Sequence, residues 1–134
     1  MLNYRRVLAA AAGLLIPLTL GTSALAQTVS TPIQNYQVSG TSGGSRQSSC
    51  GFIDEPALRV QVNEPLASLR FRASGGGALT LLVTNGQSQD CVMSDGLSGG
   101  AVELPGVWER GTYSVFVGDR NGNSHQYQLS VTQE

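Results

Sequence analysis

Apolar residues recur at every second position, in short runs, through much of the chain after residue 50. Leu58, Val60 and Val62 alternate with Arg59 and Gln61, and Leu69, Phe71 and Ala73 alternate with Arg70 and Arg72. Tyr113, Val115 and Val117 alternate with Thr112, Ser114 and Phe116, and Tyr127, Leu129 and Val131 repeat the pattern. A period of two belongs to strands with one buried face. Residues 79–84 form a more apolar run suited to the middle of a sheet, and a short strand is expected around Cys91 to Met93. Turn residues separate the runs: Ser74-Gly75-Gly76-Gly77, Asn85-Gly86 and Asn121-Gly122-Asn123. After the leader no window carries a helical period. The pattern predicts an all-β domain of about seven or eight strands. Two antiparallel sheets packed as a sandwich bury one face of each strand most economically.

The first 26 residues read differently. Arg5 and Arg6 precede an apolar stretch from Val7 to Gly21, and Thr22-Ser23-Ala24-Leu25-Ala26 supplies the small residues of an A-x-A cleavage site. A stretch of roughly 15 residues is short of the roughly 20 needed to span a bilayer, and Pro17 interrupts it. Residues 1–26 are therefore expected to be a signal peptide, with no membrane span left after cleavage. The next residue is Gln27, not the cysteine of a lipoprotein. A secreted or periplasmic location follows. Residues 27–49, rich in Ser, Thr, Gln and Gly, read as a linker with one edge strand at Tyr36 and Val38. Residues 50–134 read as the sandwich.

Removing the leader leaves 108 residues with six arginines and nine acids, a net charge of −3. No basic footprint supports nucleic-acid binding. The chain contains no lysine, which rules out a Walker-type phosphate loop and Schiff-base chemistry. Cys50 and Cys91 survive cleavage, and an even count in an exported chain favours a disulfide over a thiol or metal pair. The bond would close a loop of about 42 residues, worth roughly 4 kcal/mol in chain-entropy terms.

Three segments taken together resemble the bacterial pre-peptidase C-terminal type of β-sandwich. They are Ser39-Gly40-Thr41-Ser42-Gly43-Gly44 leading to Cys50-Gly51-Phe52-Ile53-Asp54, Ala67-Ser68-Leu69-Arg70-Phe71, and the run from Gly106 to Gly118 containing Trp108 and Gly111-Thr112-Tyr113. The resemblance spans roughly residues 39–132. It implies a jelly-roll-like sandwich acting as a noncatalytic module beside secreted enzymes. Members of that family often carry aspartates after the second cysteine, and some bind calcium. Here Cys91 is followed by Val92-Met93-Ser94-Asp95-Gly96, with one acid, a departure from that pattern. There is also no protease domain in this sequence.

Several constellations invite chemistry. The pattern G-x-S-x-G occurs at residues 40–44 and 96–100, but neither copy precedes a helical pattern, as a nucleophile elbow requires. The single histidine, His125, follows both serines, with Asp119 across the turn. Asp119-Arg120-Asn121-Gly122-Asn123 begins like a calcium loop, but Ser124 and Ser130 stand where an EF-hand needs glycine and glutamate. No cofactor is expected; calcium through Asp90, Asp95, Glu103 or Asp119 is the alternative. Arg59, Arg70 and Arg72 fall at outward positions, where an arginine row either recognises an acidic ligand or glycan or guards a solvated face. Trp108 either stacks on a sugar ring or plugs the core. The expected function is an exported, noncatalytic binding module for a protein or glycan at the cell envelope. A calcium-stabilised version and a secreted protein inhibitor are the alternatives, and a secreted hydrolase ranks below them.

Overall fold

The computed structural model describes residues 26–95 and 100–134. The expected signal peptide, Ala26 aside, lies outside them. Nine strands occur among the described residues: β1 (Gln27–Ser30), β2 (Asn35–Thr41), β3 (Arg46–Ser48), β4 (Gly51–Ile53), β5 (Leu58–Gly75), β6 (Leu79–Thr84), β7 (Gln89–Met93), β8 (Ala101–Asp119) and β9 (Gln126–Gln133). All pairings are antiparallel except β1 with β5. The chain is an all-β sandwich, as its alternation predicts, of the jelly-roll-like kind that the resemblance implies.

Two long strands build both layers. Leu66 to Ser74 of β5 pairs with Ala101 to Glu109 of β8, whereas Leu58 to Val62 pairs with Gly111 to Val115. Between Val62 and Leu66 the register shifts, because Asn63, Glu64 and Pro65 oppose Arg110 alone. Such a bulge bends a strand and strengthens its twist. One layer is therefore β2-β9-β5-β8 and the other is β1-β5-β8-β6-β7, with β5 and β8 passing from one to the other.

The inward phase of each strand fills the core. Leu58, Val60, Val62, Leu69 and Phe71 of β5 meet Leu81, Val115, Leu129 and Val131, all buried. A second, smaller cluster forms on the outer face of the second layer, where Cys50 and Ile53 cover Leu82 and Phe116. The β3–β4 hairpin lies over that face. Thr80 donates a hydrogen bond to the Cys50 carbonyl at 2.8 Å, and a Cys50–Cys91 disulfide ties the hairpin to β7.

Residues 27–49 require a correction. Where the sequence predicts a linker with one edge strand, the structure has β1, β2 and β3, so the sandwich begins at Gln27. These strands are polar because they lie at edges and bury little: only Val29, Tyr36 and Val38 pack against the core from β1 and β2.

Candidate binding cleft

The sandwich has two sides where edge strands of its layers face each other. On one, β1 and β2 are tied together. The Tyr36 hydroxyl donates to Gln27 Oε1, and Thr31 Oγ1 donates to Glu64 Oε1. Gln133 Nε2 donates to Glu64 Oε2 at 2.9 Å while its Oε1 accepts from the Ile33 N–H at 2.7 Å. The Thr31 and Gln133 side chains hold the Glu64 carboxyl below its ordinary pKa, outweighing a small desolvation effect.

On the other side, β7 and the first half of β8 stand apart. A cleft of about 410 Å³ opens between them. Its inner wall is the half-buried Leu104 with buried Trp108 and Tyr113, and its rim is Asn85, Ser88, Asp90, Pro105, Val107 and Glu109. Asn85 is held by the β6–β7 turn, where its Oδ1 accepts from the N–H groups of Gln87 and Ser88, both at 2.9 Å. Tyr113 donates to the Glu109 carbonyl at 2.8 Å. Burial, then the nearby Glu109 charge, pushes its phenol up, and Asp90 adds to this. Among the described residues its lining carries two carboxylates and no cation. Pro105 removes one backbone donor from the exposed edge, which discourages strand-to-strand aggregation there.

The apolar part of this surface lies in the outward phase. Leu66 is 62% exposed and Val107 is 65% exposed. Leu66 pairs with Glu109 and Ser68 with Val107, so the two apolar side chains occupy adjacent rows on the same face. Sequence reasoning missed both. The signal was their phase: Val107 alternates with Trp108 and falls in register with Glu103, Pro105 and Glu109, and Leu66 falls in register with Ser68 and Arg70.

The residues singled out from sequence disperse. Asp90 and Trp108 meet at the cleft. Trp108 is 8% exposed, with its ring edge-on to Phe71 and Tyr113 at centroid distances of 5.2 and 5.5 Å. Its Nε1 donates to the Leu69 carbonyl at 3.3 Å. It is part of the core. Arg70 bridges Glu103 and Glu134, each at 2.9 Å, and Arg72 approaches Glu103 at 3.3 Å, all on the outer face of the first layer. Arg59 lies on the second layer, in a row with Thr28 and Ser114. The three arginines do not form one row. Among the described residues no three His, Cys, Asp or Glu side chains converge as metal ligands. Glu103 is engaged by two guanidinium groups, and Asp119 lies at the opposite end of β8 from Glu103. Asp90, Asp95, Glu103 and Asp119 thus do not fit a shared calcium site.

Asp119 is fully buried, and its Oδ2 lies 3.3 Å from His125 Nδ1 without hydrogen-bond alignment. Burial raises its pKa, but N–H groups of Asn121, Asn123 and Ala78 overcome this and hold the carboxyl below its ordinary value. Gly77, at φ +76°, closes the site: a Cβ there would fall 2.3 Å from Nδ1 and 2.7 Å from Oδ2. Ser42 lies close by but is buried, and its Oγ donates to the His125 backbone carbonyl at 3.0 Å, not to the ring. Serine, histidine and aspartate meet here in a structural arrangement that orients no nucleophile. Of the second G-x-S-x-G copy only Gly100 is among the described residues. A further cavity of about 460 Å³, lined by Ser39, Thr41, Ser74, Gln126 and Gln128 among others, has no charged group in its wall.

No protein-family model matches the chain. Among solved structures it is similar to the pre-peptidase C-terminal domain of collagenase from Bacillus anthracis. The TM-score is 0.54 at 14% identity, covering 84% of this chain and all of that one. That likeness bears out the expected fold. A weaker similarity, TM-score 0.40 at 16% identity over 83% of this chain and all of the other, is to PliG of Aeromonas hydrophila, a periplasmic inhibitor of g-type lysozyme. No helix among the described residues is long and apolar enough to cross a membrane. In sequence, the chain is 38% identical over 103 residues to the uncharacterised protein Synpcc7942_2126 of Synechococcus elongatus, covering 73% of this chain and 75% of that protein, and it belongs to that protein's family.

Proposed function

We propose that this chain is an exported, noncatalytic β-sandwich module that binds a protein partner through its open side. The observation that carries the reading is the pair Leu66 and Val107, exposed in adjacent rows of the outer face, with Val107 at the rim of a cleft whose charged lining residues, among those described, are Asp90 and Glu109. Large apolar side chains placed together on an otherwise polar face mark a contact surface more often than isolated ones do. The carboxylates select a partner with basic groups around an apolar contact. Export is supported by the leader, and a disulfide is at home in the periplasm or outside the cell. A noncatalytic role is supported by Ser42, whose hydroxyl is committed to a backbone carbonyl. Burial of Trp108 favours a protein over a glycan, since no open indole face is offered to a sugar.

Pull-down from the cell-envelope fraction tests this, using the wild type and the double variant Leu66→Glu, Val107→Glu. Both side chains are exposed, so each substitution alone should change stability by only about 0.5 kcal/mol, with Leu66→Glu adding a modest like-charge cost opposite Glu109. The expected result is a partner retained by the wild type and lost by the variant. Equal recovery by both would overturn the assignment of the surface.

A further inference from the structure

We propose that Gln27 becomes the mature N-terminus and is converted to pyroglutamate, a modification that completes the start of β1. The inference rests on cleavage after Ala26. Three features of the structure carry it further. First, β1 begins at Gln27 itself, in register with Leu58 of β5, so no spare residue separates the new terminus from the sheet. Second, the cavity beside that terminus is lined by Gln37, Val38, Ser39, Pro56 and Ala57, with no carboxylate to pair with an α-ammonium. A charged terminus at this exposed position would be held by solvent alone, whereas a lactam is neutral and keeps a peptide-like N–H and carbonyl. Third, the Tyr36 hydroxyl donates to Gln27 Oε1, the oxygen of the amide under attack. A donor on that oxygen stabilises the negative charge it develops as the carbonyl carbon is attacked.

The step balances without a co-reactant. The α-amino nitrogen of Gln27 attacks its own Cδ, the bond from Cδ to the side-chain nitrogen breaks, and a proton from the amine leaves with that nitrogen as ammonia. Nothing is oxidised or reduced. Both reacting groups are on one residue, which removes the entropic cost of bringing them together. Tyr36 is held for this role by the fold, since it packs against the core from the edge strand β2.

The test is to express the full chain in a bacterial host, recover the exported protein, and follow its N-terminal peptide by mass spectrometry over time. The expected peptide starts at residue 27, is lighter by one ammonia, and resists stepwise amine-dependent sequencing until treated with pyroglutamyl aminopeptidase. Tyr36→Phe should close the ring several-fold more slowly than the wild type. A peptide that starts at residue 27 but keeps a free amine after prolonged incubation would overturn the modification while leaving the cleavage site intact. A start elsewhere would overturn both. Equal rates for wild type and Tyr36→Phe would remove Tyr36 from the proposal. None of these outcomes depends on the partner-binding surface, which lies on the opposite side of the sandwich.

Discussion

The two sides of this sandwich are built from opposite materials. The β1/β2 side is laced shut by polar side chains: Tyr36 to Gln27, and Thr31 and Gln133 to Glu64. The β7/β8 side has an aromatic inner wall and carboxylates on its rim. Hydrogen-bonded edges hold geometry and add little net free energy, roughly 1 kcal/mol per bond. Buried aromatic surface contributes more stability and leaves the rim free for contact. Closure and stability are separable here. The pinned side is ordered by weak, specific bonds, and the open side is stabilised from beneath.

That contrast breaks most visibly at Trp108. Its ring packs against both Phe71 and Tyr113, and it has small neighbours in Ala67, opposite it, and Gly106. Trp108→Ala should destabilise the fold by about 3–5 kcal/mol, the range for emptying a buried aromatic site. Urea unfolding followed by circular dichroism measures this without needing the indole as a probe. A loss below about 1 kcal/mol would mean that the aromatic group does not support the open side.

The disulfide comes next. Cys91 lies on β7, at the open side, and holds a hairpin that otherwise rests on a small cluster with Ile53, Leu82 and Phe116. Replacing both cysteines by serine removes a loop closure worth up to about 4 kcal/mol, and a loss of about 2–4 kcal/mol is expected. Amide exchange should then rise first in β3 and β4. If β1 and β2 loosened equally, the two sides would be coupled more tightly than their separate contacts indicate.

How far the sequence reveals this contrast depends on which residues carry it. Alternation in residues 58–62, 69–73, 113–117 and 127–131 marks strands and their buried phase correctly, because each turns one face to the main core; in 113–117 the other face is half-buried, with Phe116 under the β3–β4 hairpin. It does not show that the first two runs are one strand, because Asn63, Glu64 and Pro65 interrupt the pattern while the chain continues through a bulge. The stretch 101–109 contains Pro105 and is not among the alternating runs read from the sequence, yet it forms half of β8. Its edge position explains the tolerance, since one flank of its backbone needs no partner strand. β1 and β3 are obscured for the same reason, whereas β2 is the edge strand expected at Tyr36 and Val38. Cysteine counting anticipates the Cys50–Cys91 bond, but not that it holds a hairpin over an outer face. The cleft was illegible because it arises where β7 and β8 fail to pair, and strand order is a property of long-range pairing. Of the residues that line it, only Asp90 and Trp108 are candidate site residues from sequence, each for a different role.

The smallest effect lies on the pinned side and depends on acid. Glu64 titrates below the ordinary carboxylate range in the folded chain, because the Thr31 and Gln133 side chains bond to its ionised form. A carboxyl with a depressed folded pKa contributes stability that is fully present above the unfolded pKa. That contribution fades as pH falls through the lower, folded value. The β1/β2 edge should therefore loosen in acid before the aromatic wall does. Protection of the Val29 and Ile33 amides is the readout, because Ile33 donates to the same Gln133 that holds Glu64. Glu64→Gln keeps an acceptor but cannot ionise. It should lower protection modestly at neutral pH and abolish the acid step at these two amides. Asp119, also held below its ordinary range, titrates at the β8–β9 turn and should shift exchange there in both proteins, serving as an internal control. An acid step that persisted at Val29 in Glu64→Gln would remove Glu64 as the acid-sensitive group of this side.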